Sequence, residues 1–181
     1  MISFFKHRNL RVKNQSGFTL IEMLIVIIVL GILAMIIIPQ ITVSTEDAKV
    51  STLQTNLSGI RSAVETYYAQ HNNTYPGEKK GADGTAVGSN AEAATAFIAQ
   101  LTTYTAATGV VSNSKTTTAK FGPYIKGAGF PANPFTGTND VTCDYAEIDI
   151  TVRGKTPYSP WKFYPKTGVF IANDSDAHAA Y

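Results

Sequence analysis

Cysteine is nearly absent from this chain. Its 181 residues include one, Cys143, so no internal disulfide forms and no zinc site can draw on two cysteines. Charge is also sparse. Only 15% of residues are Asp, Glu, Lys or Arg, and 15 Lys+Arg against 13 Asp+Glu leave a formal +2. No Lys/Arg stripe accompanies that small surplus, so no nucleic-acid partner is expected. The sequence has no G-x-x-x-x-G-K-[ST], G-x-S-x-G, H-E-x-x-H or C-x-x-C, which removes the common phosphate, acyl-transfer, zinc and redox signatures. Gly127 to Ala132 fits a loose G-x-G-x-x-A, but prolines follow and no strand–turn–helix pattern surrounds it, so it reads as a loop. His7, His71 and His178 lie near the N-terminus, in a turn and in the tail, too dispersed to share a metal. No convergent acid, base and nucleophile set is visible, so the chain is not expected to be an enzyme.

What the chain does have is concentrated at its start. Residues 1–17 carry Lys6, Arg8, Arg11 and Lys13 and no acid. Phe18 to Ile38 then holds 21 residues, of which 18 are apolar; the exceptions are Thr19, Glu22 and Gly31. As a helix this run is about 30 Å long, the thickness of a bilayer core. Positive charge before it and none just after it predict a cytoplasmic N-terminus and an exported remainder, single-pass in the cell (inner) membrane. A cleavable secretory signal would have a shorter apolar region, of about 7–15 residues. Here Met23 to Ile38 gives 16 residues without a polar side chain, followed by a poor cleavage site. Glu22 stands out, since a carboxylate in a membrane helix costs about 2–3 kcal/mol unless it is paired or interfacial. It either sits among the headgroups beside the basic residues or meets a positive charge from another chain.

Gly17-Phe-Thr-Leu-Ile-Glu22 resembles the processing site of type IV prepilins and type II secretion pseudopilins. Those have a short basic leader ending in Gly, then Phe, an acid at the fifth mature position and an apolar run often closed by Pro, as Pro39 closes this one. The resemblance covers residues 13–45 strongly. It implies cleavage between Gly17 and Phe18 by a prepilin peptidase, N-methylation of Phe18, and pairing of Glu22 with the amine of Phe18 in a neighbouring subunit during assembly. It further implies membrane lipid around the subunit before assembly, an inner-membrane assembly platform, and a filament of identical and related subunits, as a pilus or a periplasmic pseudopilus. Pro39 lacks an N–H and predicts a kink near Met35, and Gly31 weakens the helix by about 1 kcal/mol relative to Ala. In family filaments the stretch between such residues melts; a static kink at the membrane surface is the alternative.

The helical pattern continues beyond Pro39. Val50, Leu53, Leu57, Ile60, Val64 and Tyr67 form a one-sided apolar stripe, which predicts a helix to about Ala69 buried under a small domain. His71-Asn-Asn-Thr-Tyr-Pro-Gly77 ends it. Ser89 with Glu92 suggests a capping box opening a second helix over Ala91 to Thr103, which buries Phe97, Ile98 and Leu101. The Thr/Ser/Ala-rich stretch from Thr105 to Ala119 reads as surface. Tyr145 to Arg153 alternates in polarity and predicts a half-buried antiparallel strand. Trp161 to Tyr164 and Val169 to Ala172 flank Pro165-Lys-Thr-Gly168 as a hairpin. The expected fold is α+β: a long N-terminal helix packed against a small antiparallel sheet of about three strands. Its parts are a leader (1–17), a transmembrane and filament-core helix (18–38) and an extracytoplasmic domain (39–181) that includes the rest of the helix. Tyr75-Pro76, Gly122-Pro-Tyr124 and Trp161…Tyr164…Thr167-Gly168 are similar to G-type major pseudopilins and disulfide-free pilins.

No cofactor is expected; calcium is the one candidate. Asp140 with Asp144, and Asp174 with Asp176, are its candidate ligands, because short Asp/Asn loops supply several oxygens; the alternative is solvated surface acids. Cys143 is expected to be inert, against intermolecular pairing or reactivity. Three N-x-[ST] matches, at Asn56, Asn72 and Asn173, are short enough to arise by chance. A membrane-tethered binding module that never polymerises is the competing reading. Loss of the four leader cations would leave 15 − 4 = 11 Lys+Arg against 13 Asp+Glu, a side-chain balance of −2, so the basic surplus is a topology signal.

Overall fold

The computed structural model describes residues 17–127, 129–152, 154 and 157–181, without the side chains of 36–44. The basic leader with His7 therefore lies outside the described residues. The chain divides into two compact units, Met1–Ser44 and Thr45–Tyr181.

In the first unit, helix α1 (Leu20–Gln70) starts and runs as α-helix through Pro39. Among the described residues no helix is long and apolar enough to cross a membrane. Described side chains of the apolar run end at Met35. Leu20 to Met35 is about 24 Å of helix, short of a core of about 30 Å. The side chains of 36–38, the rest of the expected span, and of Pro39 lie outside the described set, while the backbone there is α-helical.

In the second unit the predicted stripe is buried. Leu53, Leu57, Ile60, Val64 and Tyr67 lose nearly all exposure, and they join one core with Ala93, Phe97 and Leu101 of helix α2 (Asn90–Thr102). Phe97 is its centre: its ring lies 4.3 Å from Phe163, 5.7 Å from Phe130 and 5.8 Å from Phe170. Ser89 caps α2, its Oγ accepting the N–H of Glu92 at 3.2 Å. The box is modified at its other arm, because Glu92 Oε2 accepts from Gly88 N at 2.7 Å. The polar stretch after α2 makes a small antiparallel pair, β1 (Tyr104–Thr105) with β2 (Val111–Ser112).

The main sheet contains β3 (Val141–Cys143), β4 (Ser159–Tyr164) and β5 (Val169–Asn173), in that order. The hairpin forms as expected: Tyr164 pairs with Val169, and Gly168, at φ +71°, donates its N–H to Tyr164 O at 2.9 Å. Two expectations are corrected. β3 runs parallel to β4, Val141 opposite Trp161, so the sheet is mixed and not wholly antiparallel. Its third strand is Val141–Cys143 and not Tyr145 to Arg153, whose described residues form bends and turns. The reason lies in the polar members of the alternation. Glu147 Oε1 accepts the N–H groups of Ile148 and Asp149, and Asp149 Oδ1 accepts that of Thr151 at 2.8 Å. Such local bonds compete directly with a strand ladder. Ile148 and Ile150, expected to face the core, are 78% and 65% exposed.

Candidate functional site

The sequence points to the start of α1, and the structure shows how that segment is built. Gly17, Phe18 and Thr19 precede the helix without regular structure, and all are exposed. The Gly17–Phe18 peptide thus stands outside the helix. Space is open around Gly17, where a Cβ would meet nothing within 4 Å.

Thr19 caps the helix and Glu22 completes the box. Glu22 Oε2 accepts the Thr19 N–H at 2.8 Å and the Thr19 hydroxyl at 2.8 Å, and Thr19 Oγ1 accepts the Glu22 N–H at 3.3 Å. The carboxylate also lies in the first helical turn, at the positive end of the helix dipole. Within a single chain, then, Glu22 is not an isolated charge; two donors of its own residue Thr19 hold it. Thr19 is a partner of Glu22 that the sequence reading missed. The signal that exposes it is the Thr19-x-x-Glu22 spacing ahead of an apolar run.

Beyond this box the helix surface is apolar and bare. Thirteen large side chains from Leu20 to Met35 are between 45% and 86% exposed, and Phe18 is 81% exposed. Gly31 has open space where a Cβ would stand, so no packing within the chain requires a glycine there.

The other candidates are dispersed. Among the described residues no group of three or more His, Cys, Asp or Glu could hold a metal. Asp140 and Asp144 sit at the two ends of β3, so about 13 Å of extended backbone separates them. Asp174 is engaged on both oxygens: Oδ1 accepts from Asn133 Nδ2 at 2.8 Å, and Oδ2 faces His178 Nδ1. Asp176 lies beside Tyr158 and its charge raises the phenol pKa. Cys143 is buried, and burial, with the nearby Asp144 charge, pushes its thiol up to about 12. It is neither a nucleophile nor an exposed pairing site in this fold. His71, read as a turn residue, is turned inward and buried. It stacks on Tyr67 with ring centroids 3.6 Å apart, and burial lowers its pKa.

Residues 12–38 match the family model described as the prokaryotic N-terminal methylation motif. The chain is 38% identical over 69 residues to the type II secretion system core protein G of Pseudomonas aeruginosa, covering 38% of this chain and 48% of the relative. It is 35% identical over 71 residues to core protein G of Aeromonas hydrophila, covering 39% and 49%. To the type IV major pilin protein PilE1 of Neisseria gonorrhoeae it is 44% identical over 68 residues, covering 35% and 41%. The matched portion is about half the length of these curated relatives or a little less. No solved structure matches the chain. The methylation motif spans the segment that builds the Gly17–Phe18 bond and the Thr19–Glu22 box, and over about 70 residues the chain is similar both to type II secretion core proteins G and to type IV pilins.

Proposed function

We propose that this chain is a structural subunit of a type IV pilus-like filament or a type II secretion pseudopilus. It is inserted in the inner membrane through its apolar helix, cut between Gly17 and Phe18 by prepilin peptidase, methylated at Phe18 and polymerised through that helix with help from a membrane assembly platform. Its role is to build, and it is the substrate of an enzyme. One observation carries this reading: a continuous sleeve of thirteen exposed apolar side chains from Leu20 to Met35. A soluble monomer does not leave so large a contiguous apolar surface in water. Lipid covers it before assembly, and neighbouring helices cover it afterwards. An all-round apolar surface suits both environments because it prefers neither one side nor one partner.

Glu22 connects the two states. In the monomer it is held by Thr19; in the filament the N-terminal amine of Phe18 in a neighbour is a stronger, charged partner. Replacing Glu22 with Ala is expected to abolish filaments while leaving the protein in the membrane and cut after Gly17. A fully functional E22A protein would instead identify a tethered binding module that never polymerises. Mass spectrometry of the mature chain tests the processing step directly, with a methylated Phe18 as the first residue. Deleting the protein and scoring surface filaments and secreted enzymes in one strain separates the pilus from the pseudopilus.

A further inference from the structure

The filament reading leaves one part of the globular unit unused, namely the loop that the sequence misassigns as a strand. It exposes Ile148 and Ile150, at 78% and 65%, between acids. From Asp140 to Val152 the chain holds four acids, Asp140, Asp144, Glu147 and Asp149, and no base. Between Glu92 and Asp140 it holds three lysines, Lys115, Lys120 and Lys126, and no acid. Among the described residues none of these three lysines, and none of Asp140, Asp144 and Glu147, has an ion-pair partner.

Loop 144–152 and the lysine region are fastened at opposite ends of α2, whereas Asp140 lies beside Ile98 and Thr102 in the helix's C-terminal half. The acidic loop starts at the helix's N-terminal end, where Tyr145 N donates to Asn90 Oδ1 at 3.0 Å. The lysine region is fastened to the other end. Tyr124 N and Ile125 N both donate to Leu101 O at 2.9 Å, and Phe121 bridges Thr105 of β1. There Phe121 and Ile125 are half-buried beside exposed Lys120 and Lys126, and Lys120 Nζ lies 5.3 Å from the Phe121 ring centroid. Thirteen helical residues, about 20 Å, separate the two ends. The fastening points of the loop and of the lysine face thus lie apart within one copy.

Resting on the filament reading above, we propose that the isoleucine-bearing acidic loop 144–152 of one copy docks on the Lys120–Phe121–Ile125–Lys126 face of the next copy. Ile148 and Ile150 lie against Phe121 and Ile125, and the acids meet the lysines. The two surfaces differ, so the contact is head-to-tail; repeated with a rotation that does not close a ring, it propagates as a filament. It would set the rotation and spacing of the globular units around the helical core. Its charges are exposed, so they supply register and selectivity more than raw affinity.

The test uses the full chain in cells that assemble it. With Ile148→Cys and Lys120→Cys in one protein, oxidation of sheared filaments should give a disulfide ladder of trimers and longer species, while either single variant stays monomeric. Cys143 is buried and does not compete. Replacing Lys115, Lys120 and Lys126 with Glu should lower filament yield roughly tenfold or more, through like-charge contacts. Adding Asp144→Lys and Glu147→Lys should restore it. Normal filaments that show no ladder in the cysteine pair and no loss in the lysine reversal overturn the interface and leave the filament reading intact. If the parent chain forms no filament at all, the filament reading fails and the interface falls with it.

Discussion

His71 shows how one side chain can tie two elements together. Its Nδ1–H donates to Tyr67 O at 2.8 Å and its Nε2 accepts from the Thr105 hydroxyl at 2.9 Å. The carbonyl at Nδ1 fixes that tautomer, since a carbonyl only accepts. The ring therefore joins the end of α1 to β1 as a neutral base, stacked on Tyr67. Burial holds its pKa below the ordinary 6.5. As pH falls, the unfolded chain takes up this proton before the folded chain does. Stability from this group is thus complete above about 6.5 and is lost as pH drops below it. Denaturant unfolding of the detergent-solubilised protein should show a lower midpoint at pH 5 than at pH 7. His71→Gln should be less stable at pH 7 but have a flatter pH dependence; an unchanged slope would show that other groups govern it. Gly168 makes a second local demand. Its positive φ and the Tyr75 ring against its Cα leave no room for a Cβ. Gly168→Ala should lose about 1–3 kcal/mol by the same measurement.

Helix α2 is held by a buried amide as well as by its apolar face. Gln100 is fully buried; its Oε1 accepts from Gly77 N at 2.8 Å, and its Nε2 donates to Lys79 O at 2.9 Å and Gly109 O at 2.8 Å. It therefore pins the loop after α1 and the turn between β1 and β2 to one helix. Gln100→Leu keeps the volume and strands three backbone groups, so it should cost about 2–4 kcal/mol, read as a shifted denaturation midpoint with an unchanged slope. A Gln→Leu change without loss would mean water replaces the amide. This residue also marks where sequence reading ends. The stripe from Leu53 to Tyr67, the Ser89 cap and the hairpin closed by Gly168 are legible because each rests on neighbours three to five residues apart. Gln100, three residues after Phe97 on the core-facing side of its helix, looks like a solvent-side residue until loops from elsewhere in the chain supply its partners. The alternation from Tyr145 to Val152 fails for the opposite reason. Its period is that of a strand, but Glu147 and Asp149 satisfy the backbone locally, and Val141–Cys143 takes the place beside β4. At the N-terminus the motif is visible in six residues, whereas Thr19's part needs the capping spacing to be noticed.

Every buried residue of the described chain lies at or beyond Leu53, within the unit Thr45–Tyr181. The described residues thus divide between exposed apolar surface on Leu20–Met35 and a closed interior within Thr45–Tyr181. A chain beginning at Thr45 is expected to fold alone. It retains the whole stripe from Leu53 to Tyr67, the Phe97 cluster and both sheets, and it omits the leader and the thirteen exposed apolar side chains. It should be soluble and monomeric by sedimentation, unfold cooperatively, and protect the amides of β4 and β5 from exchange as strongly as the full chain does. It should form no filaments at any concentration that keeps it soluble, because the head-to-tail contact alone lacks the helical core. Aggregation or a non-cooperative transition would show that the fold depends on residues before Thr45. Spontaneous filaments from the truncated chain would show that the globular surfaces suffice and that Glu22 is dispensable for polymerisation.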